Sequence, residues 1–258
     1  MNELWIKICG IRDEESALAA LEAGADAIGF VFADSPRRVD AATARRIVER
    51  VRAAEAAGSG RKPAGHDGSG GGAPGQAARM EVVGVFVNAP VAEVIATARA
   101  VGLTHVQLHG DEPDADVAAL RAAGMVVIKA VGVAADASVP PATALGTPAD
   151  LVLLDRFDPR QRGGTGRTFD WTVAAAVARR RPVIVAGGLA PENVAEAVRV
   201  ARPWGVDVSS GVERARGVKD PALIARFVRT ARLAWEEVRA AGHGLARHPA
   251  AGIGGHTG

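Results

Sequence analysis

The chain has a single cysteine, Cys9, in 258 residues. One thiol excludes an intramolecular disulfide framework and a multi-cysteine zinc site. Long apolar runs are also missing. No stretch approaches the ~18 uninterrupted apolar residues of a membrane-spanning helix. Charge has no dominant sign: 31 Lys and Arg stand against 29 Asp and Glu, a net +2. That balance argues against a nucleic-acid or membrane surface as partner. The opening residues Met1–Gly10 lack a positive start followed by an apolar run, so no secretory signal is expected and a cytoplasmic protein is. What is present is globular, with 48% hydrophobic and 23% charged residues, enough for one sizeable core. The length fits one α/β barrel.

Short apolar runs alternate with longer Ala/Arg/Glu segments. The runs are Leu4–Ile8, Asp26–Phe32, Met80–Phe86, His105–Leu108, Met125–Ala130, Leu151–Leu154, Val183–Ala186 and Val206–Val208. Helical composition fills Glu14–Ala23, Ala41–Ala56, Val91–Val101, Pro113–Ala122, Trp171–Arg180, Pro191–Ala201 and Pro221–Ala240, with a short or irregular helix expected in Ala134–Ala144. This rhythm predicts βαβ units around a parallel sheet, and eight of them predict a single (β/α)8 TIM barrel over residues 1–241. The alternative is an open doubly wound sheet. Two segments fall outside the rhythm. Gly58–Gly75 holds eight Gly, two Ser and two Pro in 18 residues and reads as a flexible insertion on the face opposite a barrel's active site. Residues 242–258 read as a disordered tail, and its His243, His248 and His256 as solvated rather than metal-binding.

Barrel chemistry belongs at the C-terminal strand ends. Polar residues and glycines cluster there. Cys9 ends the first run and Lys7 shares its side-chain parity, so a nearby ammonium is expected to favour the thiolate. Read blind, a lone cysteine is more often a buried small hydrophobe. Asp155 closes an apolar run; it is either a partly desolvated general acid or a loop and capping residue. Gly187-Gly188 and Ser209-Ser210-Gly211 follow the seventh and eighth runs, where barrels commonly bind phosphate through backbone N–H groups. Arg37 and Arg38 are either a carboxylate clamp or a solvated basic loop. Gln107 and His109 share parity and are either substrate contacts or a hydrogen-bonded interior pair. Lys129 is a Schiff-base candidate, though a polar barrel-interior residue is the plainer reading. Gly163–Gly166 lacks the spacing of a nucleotide loop.

The segments Lys7–Gly10, Gly29–Phe32, Ser35–Arg38, Val83–Asn88, Val106–Glu112, Leu153–Asp155, Gly163–Trp171, Ala186–Leu189 and Val206–Glu213 together resemble the phosphoribosylanthranilate isomerase family of tryptophan biosynthesis. They run in family order from residue 7 to about 220. The resemblance implies an Amadori rearrangement with Cys9 as general base and Asp155 as general acid. It implies Arg37 on the anthranilate carboxylate and a phosphate site at Gly187, Gly188, Ser209, Ser210 and Gly211. Asp207 matches a strand-eight Asp of its substrate pocket, and Gln107 and His109 are taken with it as substrate-binding residues. It implies a phosphorylated small-molecule substrate, no metal or organic cofactor, and a monomer or homodimer. The competing readings are a Schiff-base lyase or aldolase using Lys129 or Lys7, a non-catalytic ribose-phosphate binding module and, last, a basic nucleic-acid binder.

Overall fold

The computed structural model describes residues 3–59, 79–156 and 168–244. Most of the Gly58–Gly75 insertion, the Gly163–Gly166 segment and the tail beyond 244 lie outside the described residues.

Eight parallel strands close into a barrel in sequence order. They are β1 Trp5–Cys9, β2 Ala27–Val31, β3 Glu81–Phe86, β4 His105–Leu108, β5 Val126–Val133, β6 Leu151–Arg156, β7 Val183–Val185 and β8 Gly205–Val208. The connecting helices are α1 Glu14–Ala23, α2 Ala41–Ala56, α3 Val91–Val101, α4 Asp114–Ala122, α5 Ala142–Gly146, α6 Trp171–Ala178 and α7 Val194–Ala201. A last helix, α8 Pro221–Gly244, follows. The open-sheet alternative is thereby excluded, because β1 pairs with β8 from Trp5↔Gly205 to Ile8↔Val208.

Strand alternation sorts the side chains into two cores. Trp5, Ala27, Val83, Ile128, Leu151, Leu153 and Ile184 are among those filling the interior. Ile6, Ile8, Ile28, Val152 and Leu154, of opposite parity, pack outward against the helices. At the N-terminal face Arg232 of α8 clamps the closure. Its Nη2 meets Asp26 Oδ2 at 2.7 Å, its Nη1 donates to the Leu4 carbonyl, and Asp26 Oδ2 also accepts from the Ile6 N–H at 2.7 Å. Helix starts follow capping chemistry: Asp13 and Asp40 accept from the N–H groups of Ser16 and Thr43.

Several boundaries differ from expectation, among them α5, expected within Ala134–Ala144 and found at Ala142–Gly146. β6 continues through Asp155 to Arg156, paired with Gly132 and Val133 of β5, which also runs past its expected end, so Asp155 lies in the strand rather than after it. α8 runs on to Gly244, past its expected end at Ala240. The loop after β8 is not plain coil. A 3-10 turn at Ser210–Val212 leads into a small hairpin, β9 Glu213–Ala215 with β10 Val218–Lys219, turned at Gly217 with φ 79°.

Candidate active site

Lys7 and Cys9 point into the barrel from β1, the last two inward positions before the strand ends. Both are buried, Lys7 completely. Their space comes from Gly29, which pairs with Cys9 across the β1–β2 ladder. A Cβ at Gly29 would come within 2.8 Å of Lys7 Cε and 3.0 Å of Cys9 Sγ. Lys7 Nζ reaches Asp207 Oδ1 of β8 at 3.0 Å and Gln107 Oε1 of β4 at 3.0 Å. Burial opposes the charge on Lys7, but Asp207 and Cys9 outweigh it and hold the ammonium above its ordinary range. Held between Asp207 and Gln107, a protonated Lys7 is a poor nucleophile, which argues against a Schiff-base role. For Cys9 the balance corrects the expectation of a favoured thiolate. Burial pushes the thiol up, and the pull of Lys7 in the other direction does not cancel it.

Asp155 sits across the mouth on β6, half-buried, with Oδ2 3.3 Å from His109 Nε2. His109 Nδ1 lies 3.0 Å from Gln107 Nε2, so the shared parity of these two residues becomes a hydrogen-bonded pair.

Arg37 arches over the end of β1. Gly10 permits this: its φ is 78°, and a Cβ there would meet Arg37 Cδ at 2.6 Å and Ser209 Oγ at 3.1 Å. The guanidinium is forked by Glu213, Nε to Oε1 at 2.6 Å and Nη2 to Oε2 at 2.9 Å. Glu213 also accepts from Lys219 Nζ at 2.9 Å and from the Gly217 N–H at 3.0 Å. Burial would raise its carboxyl, but Arg37, Lys219 and Gly217 win and bring it down to about 2. Lys219 in turn donates to the Ser209 carbonyl at 2.9 Å, tying the hairpin to the loop after β8. Arg38 contributes its backbone, bridging to Val31 beside β2.

The loops after β7 and β8 come together as expected. Gly187 and Gly188 have φ of 75° and 72°, the left-handed region that favours glycine. At Gly211 a Cβ would overlap the Leu189 carbonyl oxygen, so only glycine lets the two loops meet. Lys129 corrects its expectation. It shares parity with Val127 and Val131, which pack outside the barrel, and its Nζ binds Glu112 Oε2 at 2.5 Å and the Gly110 carbonyl at 2.8 Å. Glu112 also accepts from the Asn88 N–H at 2.8 Å, so this pair fastens the β3 and β4 loops together and lies off the interior. Among the described residues no group of three His, Cys, Asp or Glu is arranged to hold a metal ion, and no helix is long and apolar enough to cross a membrane.

Residues 74–230 match the family model described as N-(5'-phosphoribosyl)anthranilate (PRA) isomerase. The chain belongs to this family. A relative of that name from Pelobacter propionicus is 40% identical over 228 residues, covering 88% of this chain and 95% of its own. The crystal structure of phosphoribosyl anthranilate isomerase from Thermotoga maritima superposes with a TM-score of 0.70 at 38% identity, covering 88% of this chain and 98% of that one. A further isomerase structure, in complex with reduced 1-(o-carboxyphenylamino)-1-deoxyribulose 5-phosphate, has a TM-score of 0.67 at 36% identity over 88% of this chain and 98% of its own.

Against this family frame, the residues that sequence reasoning left without a role are Glu213 and Lys219. Glu213 stood at the end of a quoted motif, but its donor, Arg37, is 176 residues away. Only the hairpin after β8 turns both side chains back over the mouth.

Proposed function

We propose that this chain converts N-(5-phospho-β-D-ribosyl)anthranilate to 1-(2-carboxyphenylamino)-1-deoxy-D-ribulose 5-phosphate. The observation that carries the reading is the placement of one thiol and one carboxyl at the C-terminal mouth of one barrel, Cys9 on β1 beside Lys7 and Asp155 on β6 beside His109.

Asp155 donates a proton to the ribose ring oxygen. The C1–O bond breaks, and the nitrogen lone pair forms the C1=N bond of a Schiff base. The thiolate of Cys9 takes the C2 proton, and the C2–H electron pair moves to make the enolamine. Loss of the C2 hydroxyl proton and protonation at C1 then give the ketone. The sum is an isomerisation with no net change of oxidation level. Lys7 supports the base. Its buried ammonium, anchored by Asp207, offsets part of the cost that burial places on forming the thiolate.

The two charged ends of the substrate go to separate places. With Nε and Nη2 of Arg37 committed to Glu213, the contact with the anthranilate carboxylate falls to Nη1. The backbone N–H groups around Gly187, Gly188, Ser209, Ser210 and Gly211 suit the phosphate, helped by the Lys219 ammonium behind Ser209. We assign residues 1–241 to the catalytic barrel, with the 58–75 segment as an insertion.

The test is turnover of N-(5-phospho-β-D-ribosyl)anthranilate, followed as loss of anthranilate-type fluorescence. Cys9→Ala and Asp155→Asn should each lower kcat by roughly two to four orders of magnitude, the scale of losing a general acid or base, with unchanged circular dichroism. Near-normal turnover in either variant overturns the assignment of that residue.

A further inference from the structure

One row of polar side chains in contact runs across the barrel from Asp207 to Asp155. Asp207 Oδ1 meets Lys7 Nζ at 3.0 Å, and Lys7 Nζ meets Gln107 Oε1 at 3.0 Å. Gln107 Nε2 lies 3.0 Å from His109 Nδ1, and His109 Nε2 lies 3.3 Å from Asp155 Oδ2.

Lys7 sets the direction of the members that follow it. An ammonium has donors only, so the Gln107 amide must turn its oxygen to Lys7. Its NH2 group then faces His109 Nδ1, which must accept. An imidazole that accepts at Nδ1 carries its proton on Nε2, and here that nitrogen lies 3.3 Å from Asp155 Oδ2. With Oδ2 taken as an acceptor, a proton carried by the carboxyl sits on Oδ1. That oxygen lies on the side of Gly187, where a Cβ would approach it to 2.5 Å, so only glycine leaves room beside it. The other tautomer would turn a lone pair to Oδ2 and draw the acidic proton to that oxygen, toward His109 instead.

We propose that Gln107 and His109 are positioning residues for Asp155: Lys7, acting through Gln107, fixes His109 as the Nε2–H tautomer, which holds Oδ2 and leaves the transferable proton on Oδ1. The consequence for turnover rests on Asp155 being the general acid. The tautomer does not, because it is set by Lys7 and Gln107.

Nitrogen-15 NMR of the full-length, substrate-free protein reads the tautomer directly. The His109 signals are assigned by their loss in His109→Leu. In the wild type they should show Nε2–H with an unprotonated Nδ1. Gln107→Glu is nearly isosteric, keeps an oxygen for Lys7, and puts a carboxylate oxygen against Nδ1. It should convert His109 to a form protonated at Nδ1 and lower kcat by roughly ten- to a hundred-fold, with KM changed less than three-fold. A wild-type His109 protonated at Nδ1, or an unchanged tautomer in a folded Gln107→Glu, overturns the proposal. Should Gln107→Glu not fold, the wild-type spectrum still decides the tautomer, and a second pair of variants decides the role. Glutamine can present its NH2 near the position of Nε2, so His109→Gln should recover part of the kcat that His109→Leu loses, and equal losses in the two overturn positioning through Nε2. Failure of Asp155 as the acid appears separately, as full turnover of Asp155→Asn with the His109 tautomer as stated.

Discussion

Replacing Glu81 by glutamine should stabilise the protein at pH 8 and leave it nearly unchanged at pH 5. Glu81 opens β3 at the N-terminal face of the barrel. Its Oε2 accepts from the Trp5 indole at 2.9 Å and lies 3.5 Å from His105 Nε2. Burial pushes the carboxyl up from 4.5 to about 7 against the pull of the Trp5 hydrogen bond, and Asp26 adds to the rise. An acid raised in the folded state binds more protons folded than unfolded between those two values. Its contribution is therefore fully present below about 4.5 and is lost as pH rises through about 7. At ~1.4 kcal/mol per pH unit the interval sets a ceiling of about 3 kcal/mol at pH 8. The side chain keeps 30% of its exposure, so solvent screening takes part of this. A gain of ~2 kcal/mol is the expected value. Glutamine still offers Trp5 an oxygen and has no charge to bury.

His105 sharpens the test. Burial drives its imidazole from 6.5 down to about 4, so between those values the unfolded chain binds the extra proton and stability rises with pH. In the wild type this rise opposes the fall due to Glu81, whereas Glu81→Gln leaves the rise alone. Urea unfolding across pH 4.5–8 should therefore give a variant whose stability climbs to about pH 6.5 while that of the parent changes little. At pH 8 the melting temperature should increase by roughly 4–8 °C. Turnover should be unaffected, because Glu81 lies at the end of the barrel opposite the mouth. A variant no more stable than the parent at pH 8 would refute the buried-carboxylate argument.

Two further predictions concern the substrate's charged end and the inserted segment. Arg37→Ala should cost roughly ten- to a hundred-fold in kcat/KM, the scale of one charged hydrogen bond. An analogue without the carboxylate should bind parent and variant alike, and inorganic phosphate should still compete in both; loss of phosphate inhibition alone would mean the substrate lies the other way round. Exchanging Gly58–Gly75 for a short linker should leave kcat/KM within about three-fold, since α2 ends at Ala56 and β3 starts at Glu81 on the face away from the mouth. A larger loss in a folded variant would show that the segment reaches the site.

The architecture was legible in the sequence because its signals are local. Each strand is a short apolar run, each helix an Ala/Arg/Glu stretch, and eight alternations leave few topologies open. The glycines after β1, β7 and β8 were visible as motifs too. Gly10, Gly187 and Gly188 all adopt positive φ, and Gly211 sits where a side chain would overlap the neighbouring loop. Tertiary structure decided who meets whom. Lys7 is 200 residues from Asp207 and 100 from Gln107, and Arg37 is 176 from Glu213. It also decided the sign of competing effects. Lys7 beside Cys9 suggested a thiolate, but burial outweighs the ammonium. Lys129 read as an interior residue, yet its parity on β5 turns it outward to Glu112. Periodicity shows that a side chain alternates, but not which alternate faces in. That depends on the register between strands and on how much water closure of the barrel removes, and both are properties of the assembled fold.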